Sequence, residues 1–96
     1  MKQNLIDKKK AQNLVSKGAM LIDVRDAVAY RDGTIPGAVH MPLRRISELI
    51  KHPKSTCVIL FGVSNDDENL VAAVNYVRQF GFDKVYSLGA KDNWSK

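Results

Sequence analysis

The chain has 96 residues, 45% of them hydrophobic and 26% charged, which is typical of one globular domain and excludes a disordered or low-complexity chain. No apolar run approaches the ~20 residues of a membrane-spanning helix, and no signal-peptide pattern is present, so we expect a single cytoplasmic domain over residues 1–96 without a membrane partner. The formal net charge of +5 comes partly from short basic groups at residues 8–10 and 44–45, and without a platform of aromatic residues it argues against nucleic-acid binding.

The first predicted elements are a short helix and a strand. Asp7 suits the N-cap of an amphipathic helix over residues 8–17, and Gly18 suits its C-terminal end. The nearly continuous apolar run at residues 20–24 is typical of a strand that is covered on both faces in a parallel sheet. The chain is therefore expected to begin with a helix that leads directly into a buried strand.

A second helix and a brief strand are predicted next. Asp26 can cap a short helix that reaches Tyr30, and the Asp-Gly pair at residues 32–33 is a turn signal. Proline and glycine at residues 36–37 prevent a helix there, so we expect the chain to enter a short strand over residues 39–41.

The second half again alternates helices with strands. Apolar residues predict a helix over residues 46–50 and a strand over residues 58–61. Further apolar residues at helical spacing predict a long helix that ends near Gly81, before a last strand over residues 85–88. Strands that alternate with helices require crossover connections, so we predict a parallel sheet with helices on both faces.

Two segments are similar to one known family. LIDVRDAVAYRDGTIPGAVHMPL, residues 21–43, resembles the rhodanese homology family, whose members carry a strand ending in Asp-Val-Arg, a short helix with a tyrosine and a Gly-His-Ile-Pro-Gly-Ala stretch. GFDKVYSLGAKDNW, residues 81–94, resembles the family's segment before a tryptophan, with a spacing one residue shorter than usual. The resemblance covers about residues 5–94 and implies a three-layer α/β/α fold with a small, mainly parallel five-stranded sheet. In register with the first segment are Asp23, Val24, Arg25, Tyr30, Gly33, Ile35, Pro36, Gly37, Ala38 and Pro42.

The resemblance also implies a catalytic loop. In active members of the family a cysteine follows the central strand, and backbone N–H groups around its sulfur stabilise a thiolate that accepts sulfur as a persulfide. Alignment from the strand places Gly62 at that position, whereas counting back from Gly81 places Ser64 there, and neither residue can carry a persulfide. We therefore expect no catalytic residue here and interpret the segment as a ligand-binding loop formed by Gly62, Val63, Ser64, Asn65, Asp66, Asp67, Glu68 and Asn69.

The charge of this loop does not suit an anionic sulfur donor such as thiosulfate. Asp66, Asp67 and Glu68 lie where the helix is predicted to start, and Asn65 followed three residues later by Glu68 resembles a capping box. These acids would themselves occupy the positive end of the helix. We interpret them as helix caps rather than as a catalytic carboxylate pair.

Cys57 is the only thiol of the chain, and it precedes the predicted strand. A strand of about five residues would separate its sulfur from the loop by about 16 Å. We interpret Cys57 as a small, partly buried residue at the strand entrance. A lone cysteine without a Cys/His cluster predicts no metal site, and the glycines form no nucleotide-binding motif, so we expect no cofactor.

The other candidates are interpreted as structural. Asp23 and Arg25 are expected to form an ion pair or hydrogen-bond set that fixes the turn after their strand. His40 has no second ligand at a suitable spacing, and Tyr30 and Trp94 are expected to pack against the core. The predicted structural motif consists of Asp23, Arg25, Tyr30, Gly33, Pro36 and Gly37.

Three functional hypotheses follow. The first is a rhodanese-like domain that is inactive as a sulfurtransferase and serves as a binding or regulatory module, with an unknown protein or a small anionic ligand meeting the loop. The alternative is a sulfurtransferase or sulfur carrier of the thiosulfate sulfurtransferase type, acting through Cys57 or a partner's thiol. If Gly62 holds the cysteine position, the longer loop also resembles the related dual-specificity phosphatases, although residues 62–69 contain neither the cysteine nor the arginine of that chemistry.

Overall fold

A computed structural model of the chain describes residues 5–95, which form one parallel sheet flanked by helices. The strands are β1 (Met20–Asp23), β2 (Val39–His40), β3 (Val58–Gly62) and β4 (Val85–Ala90), in the spatial order β2-β1-β3-β4. The α-helices are α1 (Lys8–Ser16), α2 (Ala27–Asp32) and α3 (Glu68–Gln79), and 3₁₀ helices cover Leu43–Lys51 and Lys91–Trp94. None of the helices in the described part is long and apolar enough to cross a bilayer.

The sheet is the middle of three layers. Successive residues of its strands point to opposite faces, and each face packs against helices. Val58 and Leu60 of β3 belong to a core cluster with α3 and the first 3₁₀ helix. Ile59 and Phe61 belong to a second cluster on the other face, which includes Ala11 of α1. All five residues of β3 are buried, as expected for a parallel strand with helices on both sides. The predicted α/β/α arrangement is thus confirmed.

Within residues 5–95 the sheet has four strands where five were expected. The nearest approach to a fifth is a single parallel bridge between Leu5 and Ser87, next to which the Ile6 N–H donates to the Ser87 carbonyl oxygen at 2.9 Å. Asp7 follows at once and caps α1 by accepting a hydrogen bond from the Lys10 N–H at 2.8 Å. The helix therefore begins before the described segment can extend along β4.

The predicted helix over residues 46–50 is a longer 3₁₀ helix, Leu43–Lys51. Leu43, Ile46 and Leu49 pack against the core, and their spacing of three residues matches the three residues per turn of a 3₁₀ helix. Ile50, the last of the apolar residues on which the predicted helix rested, is 52% exposed. The packing of every third residue explains why this segment is wound more tightly than an α-helix.

The adjacent residues Leu49 and Ile50 allow a direct test of this packing. Leu49→Ala is expected to lower the free energy of unfolding by about 2–5 kcal/mol, because it leaves a cavity in a fully buried position. Ile50→Ala is expected to lower it by less than about 1 kcal/mol, because the side chain is half exposed. Urea denaturation of both variants measures the difference, and equal losses would contradict the 3₁₀ register.

Candidate functional site

The candidate loop lies at the carboxyl end of β3, between the strand and the first residue of α3, Glu68. The side chain of Asp67 folds back over it. Its Oδ2 accepts a hydrogen bond from the Val63 N–H at 3.0 Å, and its Oδ1 accepts from the N–H groups of Asn69 and Leu70 at 2.9 and 3.4 Å. Asp67 is therefore the N-cap of α3 and also fills the ring of backbone N–H groups with its own carboxylate.

Gly62, the last residue of β3, lies directly against this carboxylate. A Cβ atom added to Gly62 would lie 2.5 Å from Oδ2 of Asp67 and 3.2 Å from the Cβ of Leu70. Real Cβ atoms do not approach an oxygen so closely, so a side chain at position 62 requires Asp67 to move. Ser64 lies farther along the loop, where its hydroxyl donates to Asp66 Oδ1 at 3.1 Å.

The predicted capping role of Asn65 is wrong, because Asp67 is the N-cap of α3. The Asn65 side chain instead crosses to the end of β4. Its Oδ1 accepts hydrogen bonds from the Ala90 N–H at 3.0 Å and from the Asn93 side-chain amide at 2.8 Å, and that amide also donates to the Leu88 carbonyl oxygen. Asn65 thus ties the loop to β4 and to the second 3₁₀ helix.

The outer surface of the loop is acidic with one apolar residue. Asp66 and Glu68 are exposed, and Val63 between them and the strand is 66% exposed. An open cavity of about 440 Å³ lies beside the loop, next to Asn65 and Asn93. A small ligand therefore has room beside the loop rather than among the N–H groups that Asp67 occupies.

Asp23 and Arg25, at the end of neighbouring β1, form a buried ion pair. The Asp23 side chain is fully buried, and its Oδ2 lies 2.8 Å from Nη2 of Arg25. Asp23 also accepts from the Arg25 Nε–H at 3.0 Å, the Arg25 backbone N–H at 2.9 Å and the Thr34 hydroxyl at 2.7 Å. Arg25 in turn donates to the Gly33 carbonyl oxygen at 2.6 Å. This set of bonds fixes residues 33–34 against the end of β1.

These bonds set the protonation of the pair. Burial alone raises the pKa of the Asp23 carboxyl, but hydrogen bonds from Arg25 and Thr34 outweigh it, so the pKa lies below its usual value. The hydrogen bond to Asp23 raises the pKa of Arg25 above its usual value, against the effect of burial. Both groups are charged at neutral pH. Because both are committed to each other and to the chain, they act as a structural unit.

His40 joins β2 to the same network. Its Nε2–H donates to the Arg25 carbonyl oxygen at 2.8 Å, and its ring stacks on Tyr30 with the centroids 4.4 Å apart. Tyr30 therefore packs on a histidine, while Trp94 packs against the core cluster on the α1 face. Among residues 5–95, no three side chains of His, Cys, Asp or Glu converge as metal ligands would.

Cys57 lies at the opposite edge of the sheet from the loop, one residue before β3 begins. Its carbonyl oxygen accepts a hydrogen bond from the Met20 N–H at the start of β1. Partial burial raises the pKa of its thiol, and the nearby charges of Lys84 and Lys10 only partly oppose this effect. The thiol is therefore mostly protonated at neutral pH.

The fold agrees with a comparison of the sequence with protein families. Residues 3–96 match the family of the rhodanese-like domain. The chain belongs to this family. Its rhodanese-like fold is also found in the Alr3790 protein from Anabaena sp., whose crystal structure superposes with a TM-score of 0.80 at 30% identity, covering 94% of this chain and 84% of that one.

Curated relatives carry a named activity. The chain is 33% identical over 85 residues to thiosulfate sulfurtransferase GlpE of Pseudomonas fluorescens (strain SBW25), covering 88% of this chain and 77% of the relative. It is 30% identical over 90 residues to GlpE of Ectopseudomonas mendocina, covering 93% and 82%. A human single-domain sulfurtransferase, TSTD1, shares the rhodanese-like fold with a TM-score of 0.78, at 19% identity.

Two residues that build the carboxyl edge of the sheet in this rhodanese-like chain, Thr34 and Asn93, carry no signal in the sequence. Thr34 bonds Asp23 across a loop, and Asn93 bonds Asn65 from far along the chain. Asp67 was included only as one of three acids at a helix start. The sequence around Asn65 and Asp67 does not show which of the two caps α3, because Asn and Asp are both favourable N-cap residues.

The buried ion pair predicts a specific dependence of stability on pH. Because the folded-state pKa of Asp23 is lowered, its contribution is complete above the unfolded-state pKa of about 4 and is lost as the pH falls through the folded-state value. Asp23→Asn is expected to lower the free energy of unfolding by about 3 kcal/mol at pH 7, and by progressively less below about pH 4.

Denaturant titrations of both proteins between pH 2 and 7 measure this difference. Glu48→Gln is the control, because Glu48 pairs with Arg45 at 3.9 Å with both side chains 44% exposed, and its loss is expected to cost less than about 1 kcal/mol. A pH-independent difference between the protein and Asp23→Asn would contradict a structural role for the Asp23 charge.

Proposed function

We propose that this rhodanese-like chain is a binding or regulatory module that does not transfer sulfur. One observation carries the proposal: the loop after β3 contains no thiol, and the sole thiol lies at the other end of that strand. We take Gly62 rather than Ser64 as the residue at the family's cysteine position, because Gly62 is the last residue of β3. Neither residue can accept a sulfane sulfur as a persulfide.

The position and the protonation of Cys57 both disfavour it as a substitute nucleophile. A strand of five residues spans about 16 Å, and its pairing with β1 and β4 on both sides prevents it from bending to shorten that distance. Sulfur acceptance needs a thiolate, and the raised pKa of Cys57 lowers the thiolate fraction at neutral pH. A protonated thiol outside the loop does not supply the family's chemistry.

We propose a protein rather than a small anion as the partner of the loop. An anion would have to displace the Asp67 carboxylate from three N–H groups and approach exposed Asp66 and Glu68. A partner segment with basic and apolar side chains complements these acids and exposed Val63. The cytoplasm suits this role, because a lone cysteine stays reduced there.

The alternative function is a sulfurtransferase or a sulfur carrier. Its support is the name of the curated relatives, thiosulfate sulfurtransferase, at 30–33% identity over most of the chain. In this chain that chemistry would require Cys57 or a thiol supplied by a partner. Sulfur that is carried by Cys57 would remain on the protein, so the two functions differ in a measurable product.

Sulfur transfer separates the two functions. Purified protein with thiosulfate and cyanide is expected to form thiocyanate no faster than its Cys57→Ser variant, because residue 57 is outside the loop. Mass spectrometry after incubation with thiosulfate is expected to find no added sulfur on Cys57. GlpE of Pseudomonas fluorescens serves as the positive control. Thiocyanate formation that Cys57→Ser abolishes, or a persulfide on Cys57, would establish the alternative function instead.

Binding through the loop is tested with matched charge reversals. Asp66→Lys changes an exposed acid of the loop, and Asp83→Lys makes the same change before β4, at the opposite edge of the sheet. For a partner isolated on the immobilised chain, Asp66→Lys is expected to raise the Kd at least about tenfold, or by about 1.4 kcal/mol, and Asp83→Lys to leave it unchanged. Calorimetry with the isolated partner measures both, and equal effects of the two reversals would contradict binding at the loop.

A further inference from the structure

Gly62 differs from the other glycines of the chain in its backbone. Of the six glycines, five have a positive φ between 79° and 154°, where a side chain is strained. Gly62 is the exception, because it is the last residue of β3 and pairs with Ala90. Its backbone would accept any residue. A glycine is therefore required at this position by space and not by conformation.

Most of the missing space is taken by the Asp67 side chain, and the Cβ of Leu70 lies 3.2 Å from the added Cβ. The Cβ of any residue at position 62 would lie 2.5 Å from Oδ2 and 3.2 Å from Cγ of Asp67. The carboxylate cannot simply rotate away, because it holds the N–H groups of Val63, Asn69 and Leu70. These are charge-assisted bonds, two of them at the N-terminus of α3, and moving the carboxylate leaves those donors without it. Gly62 and Asp67 are therefore dependent on each other.

We propose that Asp67 closes this loop to sulfur chemistry, because its carboxylate takes both the space and the N–H groups that a thiolate on residue 62 would need. This inference rests on the proposed function and extends it, since it states that restoring a cysteine at position 62 is not sufficient for activity. Asp67 excludes both a side chain on residue 62 and an anion among the backbone N–H groups. The residue acts by occupying the site and is not itself catalytic.

The chemistry that Asp67 excludes has simple requirements. A thiolate attacks the outer sulfur of thiosulfate, a new sulfur–sulfur bond forms on the protein, and the old one breaks with its electron pair leaving on sulfite. The thiolate must be deprotonated and stabilised by N–H donors before it attacks. A carboxylate in contact with it disfavours the charged form and keeps the donors for itself. Removing the Asp67 carboxylate therefore frees both the space beside residue 62 and the N–H donors of the loop.

A thermodynamic cycle tests the dependence without any catalytic assay. Gly62→Ala is expected to lower the Tm by about 5–15 °C in the unmodified protein, because the added methyl group collides with Asp67. Asp67→Ala alone is expected to lower the Tm by about 4–8 °C through the lost helix cap. In the Asp67→Ala background, Gly62→Ala is expected to cost less than half of what it costs alone.

The adjacent acid provides the control for this cycle. Asp66 is exposed, and its carboxylate accepts from the Ser64 hydroxyl rather than from the N–H groups that Asp67 holds. The losses in Tm from Gly62→Ala and Asp66→Ala are therefore expected to add. If the loss in Tm of the Gly62→Ala, Asp67→Ala double variant equals the sum of the two single losses, the inference is overturned, since the two residues are then independent.

A second experiment introduces the thiol. In a Cys57→Ser background, Gly62→Cys is expected to react slowly with iodoacetamide at pH 7 and to gain no sulfur from thiosulfate. Gly62→Cys with Asp67→Ala is expected to react at least about tenfold faster, with a lower apparent pKa, and to gain the mass of one sulfur atom. A double variant no more reactive than the single variant would overturn the inference.

These outcomes are independent of the test of the proposed function. Sulfur transfer by the unmodified chain would contradict the proposed function and leave the cycle between residues 62 and 67 unchanged. Additive losses in the cycle would contradict the role of Asp67 and would not affect the proposal that the chain does not transfer sulfur. Circular dichroism of every variant separates loss of folding from a change in thiol reactivity.

Discussion

The structure depends on the position of β3 in the middle of a parallel sheet. Its five residues are buried, it pairs with β1 on one side and β4 on the other, and helices cover both faces. A strand held in this way has one fixed direction, so whatever precedes it and whatever follows it lie at opposite edges. Cys57 and the loop after Gly62 are separated for this reason, and the functional conclusions follow from that separation.

At the carboxyl edge, the Asp67 carboxylate caps a helix and also occupies the loop after β3. Asp67 caps α3 and occupies the N–H groups of the loop, so the interaction that starts the helix also removes the anion-binding capacity of its N-terminus. Under the proposed function, the chain keeps the rhodanese-like architecture without sulfur transfer. Exposed Val63 and Asp66 remain as the part of the loop that another molecule can contact.

The motif that carries the family resemblance has a structural role in this chain. Asp23 and Arg25 bind residues 33–34 to the end of β1, and His40 connects the short β2 to the Arg25 carbonyl oxygen. Asn65 makes the corresponding connection between the loop and β4. Polar side chains thus hold the carboxyl edge at the places where hydrogen bonds between strands end.

The sequence by itself determined the α/β/α architecture, the order of the helices and strands and the absence of a thiol from the loop, because period, caps and turn residues are local properties. It did not determine the 3₁₀ helix at Leu43–Lys51, the shortened sheet edge or the choice of Asp67 over Asn65 as N-cap. Each of these depends on partners distant in sequence. Only the tertiary structure brought Ala90 and Asn93 to Asn65, which left Asp67 to cap α3 and to fill the space beside Gly62.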